Sequence, residues 1–117
     1  MDKVEIRASL LQQELFELFR LQLKKDFEVS GCDVDFIENL PVNFDRLRDE
    51  ISAQIKKTGK HSASKLPELL YRIDVSEQQI KRFSEEHPAE IWEDLVSELI
   101  IKRILQKVIL KKTYSKK

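Results

Sequence analysis

Side chains that can act as nucleophiles, general bases or metal ligands are few in this sequence and lie far apart. The two histidines, His61 and His87, are separated by 26 residues, and neither has a cysteine or histidine at the spacing of a metal site. The single cysteine, Cys32, has no neighbouring cation or second thiol that would lower its pKa and activate it. We therefore predict no catalytic residues, no metal site and no cofactor, and a protein that is not an enzyme.

Phosphate binding is the other chemistry that the residue types suggest, because basic side chains collect near the end of the chain. The net charge is zero, yet all 21 acidic residues lie at or before Glu98, and seven basic residues follow it. The candidate phosphate-contacting residues are Lys107, Lys111, Lys112, Lys116 and Lys117. An alternative explanation needs no ligand, since positive charge at the C-terminal end of a helix complements the helix dipole.

A second basic segment covers residues 56–65 and includes the pair Gly59-Lys60. This pair also occurs in phosphate-binding loops, but Gln54 stands where that motif requires a glycine, and His61 stands where it requires serine or threonine. The segment has no apolar side chain larger than alanine. We interpret it as a flexible basic linker inside one domain, because neither half of the chain has enough helices to cover its own apolar faces.

The composition predicts an all-α protein. Charged residues make up 36% of the chain, compared with about 25% in average proteins, and only two glycines and three prolines interrupt it. Apolar and polar residues do not alternate as they do in strands, and the Asn-Gly and Asp-Gly pairs of tight hairpins are absent. We predict a single-domain helical bundle of about five helices with no sheet over residues 1–112, followed by a disordered basic tail over residues 113–117.

Local signals predict where the helices begin and end. Asn43 is placed to cap a helix, and Ser76 and Gln79 have the spacing of a capping box. Gly31 is the residue best able to adopt the left-handed conformation that ends a helix. The predicted long helices span residues 3–25 and 88–112, the three predicted shorter ones span residues 43–57, 64–73 and 76–87, and residues 33–39 are a further candidate for a short helix.

The C-terminal helix carries too many apolar residues to be buried on one side only. At about 100° per residue, its apolar stripe changes face near Leu99 to Ile101. We expect the first half to be core, with Trp92 as its largest anchor. The second half contains the candidate partner-binding residues Ile101, Ile104, Leu105, Val108 and Ile109. Either different helices of the same chain cover the two halves, or the second half packs against a second copy or another protein, which is the alternative we favour.

The expected function follows from these patterns. We expect a non-enzymatic protein that binds itself, as a homo-oligomer, or another protein through this helix face. The alternative is a nucleic-acid-associated protein that uses the basic tail and the basic linker. A cytoplasmic location is expected because the N-terminus lacks the features of a signal peptide, no apolar run approaches the roughly 20 residues of a membrane span, and one cysteine cannot form a disulfide framework.

Overall fold

The computed structural model describes residues 1–115, and this part of the chain contains six α-helices, one 3-10 helix and no strand. The elements in chain order are α1 (Lys3–Leu10), α2 (Gln13–Val29), the 3-10 helix (Asp35–Asn39), α3 (Phe44–His61), α4 (Lys65–Ile73), α5 (Glu77–Glu86) and α6 (Trp92–Ser115). The radius of gyration is 13.7 Å, as expected for one globular domain of this size. The prediction of an all-α, single-domain bundle is confirmed, with one helix more than the expected five.

The additional helix arises because the predicted N-terminal helix is broken at Leu11 and Gln12. Gln12 has an extended backbone conformation, so the chain changes direction between α1 and α2. Leu10 lies in the core at 1% exposure, whereas Leu11 is 76% exposed. In one straight helix, Leu10 would lie off the apolar stripe of that helix. The break allows the Leu10 side chain to be buried.

Helix α6 lies in the centre of the bundle and packs against all five other α-helices, above all α3 and α2. Its apolar residues are buried on more than one side, as predicted, because different helices of the same chain cover them. The helix begins at Trp92 and not at Pro88. The prediction that Trp92 is a core anchor is wrong, because this side chain lies in the first turn of α6 and is 42% exposed.

Three helix boundaries follow the predicted local signals. The side chain of Asn43 accepts a hydrogen bond from the backbone N–H of Arg46 at the start of α3. At the start of α5, the backbone N–H of Gln79 donates to Oγ of Ser76 at 3.1 Å, and the backbone N–H of Ser76 donates to Oε1 of Gln79 at 2.8 Å. Gly31 has a φ of 77° directly after α2, a left-handed conformation that glycine adopts without strain. These signals predict boundaries well because each satisfies backbone groups within a few residues.

The two predicted flexible segments are largely helical. Residues 56–61 of the predicted linker are the last turns of α3, and only residues 62–64 separate this helix from α4. Lys60 and His61 lie in the last turn of α3, where positive charge favours the helix. Residues 113–115 of the predicted tail continue α6, where Oγ1 of Thr113 donates a hydrogen bond to the carbonyl oxygen of Ile109 at 2.9 Å.

Candidate functional site

The predicted partner-binding face of α6 lies inside the protein. Ile101, Ile104 and Leu105 are fully buried, Val108 is almost fully buried, and Ile109 is half-buried. Helices α2 and α3 are the main packing partners of α6, so they occupy the space that a partner would need. The structure therefore corrects the expectation that this face binds a partner, because four of its five side chains form the core.

An apolar groove that the sequence analysis did not identify lies between α4, α5 and the first turn of α6. We call it the α4–α5 groove, and its apolar lining residues are Leu66, Pro67, Leu70, Tyr71, Val75, Ile80 and Trp92. Its volume is about 610 Å³. Tyr71 is 89% exposed, and together with Trp92 it places two large aromatic side chains at the surface. Aromatic side chains in this position are typical of protein interfaces.

Hydrogen bonds at the corner between α4 and α5 fix the shape of the groove. Asp74 ends α4 in a left-handed conformation with a φ of 74°. Its backbone N–H and that of Val75 both donate to the carbonyl oxygen of Leu70 at 2.9 Å. The capping box of Ser76 and Gln79 begins α5 directly afterwards. The two walls of the groove are therefore held at a defined angle.

A second concave site brings basic side chains together from three helices. We call it the basic pocket, and its lining residues are Gln22, Lys25 and Asp26 of α2, Arg72 of α4, and Arg103, Lys107, Leu110 and Lys111 of α6. Its volume is about 400 Å³. Of the predicted phosphate-contacting residues, Lys107 and Lys111 lie here, whereas Lys112 forms an ion pair with Glu14 at 3.0 Å. Lys116 and Lys117 lie outside the described residues.

The buried side chain of Asp26 contacts two of the cations of the basic pocket. This carboxylate is only 1% exposed, and Nε of Arg72 donates a hydrogen bond to its Oδ1 at 3.1 Å. Nε2 of Gln22 donates to the same oxygen at 3.1 Å, and Nζ of Lys107 lies 3.6 Å from Oδ2. Lys107 also donates to the carbonyl oxygen of Arg72 at 3.1 Å. One buried carboxylate thus holds cations from α4 and α6 in place.

The remaining polar contacts of the pocket are at its edge. Nη2 of Arg103 lies 3.2 Å from Oδ2 of Asp74, and Nζ of Lys111 donates to Oε1 of Gln22 at 2.7 Å. Lys25 is exposed and has no hydrogen bond or ion pair of its side chain among residues 1–115. Sequence reasoning missed Lys25, Arg72 and Arg103 because they come from separate helices. The sequence did contain one signal for this pocket. Asp26 follows the buried Phe19 by seven residues, so this charged residue lies on the apolar face of α2.

A third cavity, of about 310 Å³, lies beside α1, α5 and α6 and contains a buried acid. Glu98 is only 4% exposed, and Nζ of Lys3 lies 3.0 Å from its Oε1. Burial raises the pKa of the Glu98 carboxyl, Lys3 opposes the rise, and Glu90 adds to it. His87 lines the same cavity and packs its ring edge-on against Phe83, with 4.5 Å between the ring centroids.

The other residues that were considered for chemistry remain apart. Cys32 is buried, and burial raises the pKa of its thiol, while Lys65 opposes the rise. This environment favours the protonated thiol over the nucleophilic thiolate. His61 ends α3 and is exposed. Among the described residues, no group of three or more histidine, cysteine, aspartate or glutamate side chains is arranged to hold a metal ion.

Comparisons with known proteins provide no relative from which a role can be transferred. No protein-family model, no curated protein and no solved structure matches the chain. Within residues 1–115, none of the helices combines the length and the apolar character that crossing a membrane requires. The functional argument consequently depends on the sites themselves.

Proposed function

We propose that this is a non-enzymatic cytoplasmic protein that acts by association, and that its partner at the α4–α5 groove is a second copy of the same chain. The observation that carries this proposal is the combination, in one surface patch, of an apolar groove with the highly exposed Tyr71. A large aromatic side chain left in water beside an apolar groove gains free energy when a partner covers it.

The patch has the self-complementary form that a two-fold dimer requires. In such an interface the same surface of both copies is used, so a projecting group of each copy must meet a recess of the other. Tyr71 projects from α4 at the edge of the groove, and the recess is lined by Leu66, Leu70 and Val75. Each copy therefore offers both a side chain to insert and an apolar site to receive it.

Charges at the rim of the groove favour a second copy over an unrelated partner. Glu77 and Lys81 lie one turn apart on α5, and both line the groove. If the two α5 helices pack antiparallel across a two-fold axis, Glu77 of one copy would face Lys81 of the other, and the same pair would form a second time. The rim thus supplies charge complementarity and fixes the antiparallel orientation of the two α5 helices.

Sedimentation equilibrium over a wide concentration range tests the proposal. The wild-type chain is expected to approach twice its mass of 13.8 kDa as the concentration rises. Tyr71→Ala should weaken the dimer about a thousandfold, since losing an aromatic anchor costs about 2 kcal/mol and a two-fold interface loses it twice. Tyr114→Ala removes a tyrosine from the far end of α6 and is the matched control, with the dissociation constant of the wild type.

Reversing the rim charges distinguishes a second copy from any other partner. Glu77→Lys alone should weaken the dimer, because lysines then face one another across the axis. Adding Lys81→Glu restores opposite charges in a two-fold dimer and should restore the association. A monomer mass that stays constant at all concentrations, or a double variant that remains as weak as Glu77→Lys, contradicts the proposal.

A further inference from the structure

We propose that the basic pocket between α2, α4 and α6 binds the phosphate group of a small molecule or of a lipid headgroup. Five cationic side chains from three helices surround this pocket of about 400 Å³. A volume of this size suits a small ligand. The site is separate from the α4–α5 groove, so it would add a ligand to a protein whose association takes place elsewhere.

The charge balance of the basic pocket leaves its outer surface positive. Two carboxylates contact three of the five cations: Asp26 contacts Arg72 and Lys107, and Asp74 contacts Arg103. Asp26 is buried beneath Arg72 and Lys107, so its charge holds these side chains in place and is not presented to solvent. Asp74 is largely exposed and pairs with Arg103 at the edge. An anion entering the pocket therefore meets an excess of positive charge.

The chemical nature of the cations favours phosphate over a simple carboxylate. Arg72 uses Nε to contact Asp26, and its two Nη groups make no hydrogen bond among the described residues. A guanidinium edge of this kind can donate two parallel hydrogen bonds to phosphate oxygens. Lys25 and Lys111 are both exposed, and neither forms an ion pair within residues 1–115. Two unpaired lysines beside an arginine fork match the two negative charges of a phosphate group.

The distribution of basic residues over the molecule favours one discrete phosphate over a polyanion such as nucleic acid. Lys56 and Lys60, from the predicted basic linker, lie near Trp92 and Glu93 at the start of α6. Lys107 lies 15 residues further along the helix, a distance of about 22 Å at 1.5 Å per residue. The two basic segments thus lie at opposite ends of α6, and the whole chain has zero net charge. A polyanion needs an extended basic surface, whereas a single phosphate needs only the pocket.

Calorimetric titration of the 117-residue chain with inorganic pyrophosphate at low salt tests this proposal. Saturable binding is expected, and the double variant Lys25→Gln/Lys111→Gln should weaken it at least tenfold. Both side chains are exposed and neither contacts Asp26, so the variant keeps the contacts of Arg72 and Lys107 with this carboxylate. Lys56→Gln/Lys60→Gln removes the same total charge at the other end of α6 and should leave the affinity within a factor of two. Circular dichroism of all variants checks that the helices are retained.

Two further measurements distinguish the sources of the phosphate. Flotation with vesicles that contain a phosphorylated phosphatidylinositol, compared with pure phosphatidylcholine vesicles, identifies a lipid headgroup if pyrophosphate competes. Binding of pyrophosphate without vesicle binding identifies a soluble phosphate ester. The proposal is overturned if no saturable binding occurs up to about 10 mM pyrophosphate, if the two double variants weaken it equally, or if a DNA duplex binds and pyrophosphate does not.

Discussion

Asp26 and Glu98 are both buried carboxyl groups, but the bundle surrounds them differently. Asp26 is contacted by Arg72, Lys107 and Gln22, which come from its own helix and two others. Glu98 is contacted by the half-exposed Lys3. A second acid, Glu90, lies near enough to Glu98 to raise its pKa further, in addition to the effect of burial.

The difference shows that burial alone does not determine what a carboxyl group contributes to stability. A buried carboxylate with several donors links the helices that provide them, and removing it leaves those cations without a partner. A buried carboxyl group with one partly solvated cation keeps much of the cost of desolvation, and its protonated form is favoured. Asp26 should therefore stabilise the bundle, whereas Glu98 should make its stability depend on pH.

The largest effect on the free energy of unfolding is expected for Asp26→Asn. This change removes the negative charge beneath Arg72 and Lys107 and should lower the free energy of unfolding by about 2–3 kcal/mol. The loss is smaller than for a fully buried ion pair because both cations remain partly solvated. Urea denaturation at pH 7 measures the loss. Asp33→Asn makes the same replacement at an exposed ion pair, and it should have a much smaller effect because the asparagine can still accept the hydrogen bond from the backbone N–H of Asp35. Equal effects of the two substitutions would show that the buried Asp26 stabilises the bundle no more than an exposed carboxylate does.

An intermediate effect is expected from the titration of Glu98. Because the raised pKa lets the folded state keep a proton that the unfolded chain has already released, the folded state binds more protons above the ordinary value of 4.5. The contribution of Glu98 to the free energy of unfolding should therefore fall as the pH rises from the ordinary value through the raised pKa. Denaturation of the wild type and of Glu98→Gln at a series of pH values measures the contribution of Glu98 to the pH dependence of stability. A constant difference between the two proteins from pH 4 to pH 8 would contradict it.

The smallest expected effect is that of Lys3→Gln. Lys3 opposes the rise in the pKa of Glu98, so its removal should raise that pKa further. NMR titration of the Glu98 carboxyl carbon measures the shift. Stability at pH 7 should change by less than about 1 kcal/mol, since the Lys3 side chain is half-exposed. Lys24→Gln, which breaks the distant ion pair with Glu38, is the control, and the pKa of Glu98 should not respond to it.

The fold was predictable where a few neighbouring residues determine the structure. The capping box of Ser76 and Gln79 and the cap at Asn43 are local signals, and the all-α class follows from composition. The break at Leu11 and Gln12 was not predictable in this way, because it depends on burying Leu10 against helices that are distant in sequence. The exposure of Trp92 depends in the same way on how the other helices lie around the first turn of α6 in the folded protein.

The candidate sites were predictable only in part. Lys107 and Lys111 were identified from the excess of basic residues at the end of the chain, but Lys25, Arg72 and Arg103 join them only in the folded protein. The α4–α5 groove was missed because Leu66 and Leu70 have the ordinary four-residue spacing of an apolar helix face. Which apolar residues of a helix remain exposed depends on how many neighbouring helices cover it, and the sequence of one helix does not contain that information.

The central position of α6 has a consequence for the order in which the protein can fold during synthesis. Helices α1 to α5 leave the ribosome first, yet α6 is the element that packs against all of them. Until its 24 residues have been added, which takes about 1–5 s at usual translation rates, apolar side chains such as Phe19, Leu47 and Ile51 have no common core to enter. The nascent chain should therefore remain a chaperone substrate and a protease target until α6 emerges.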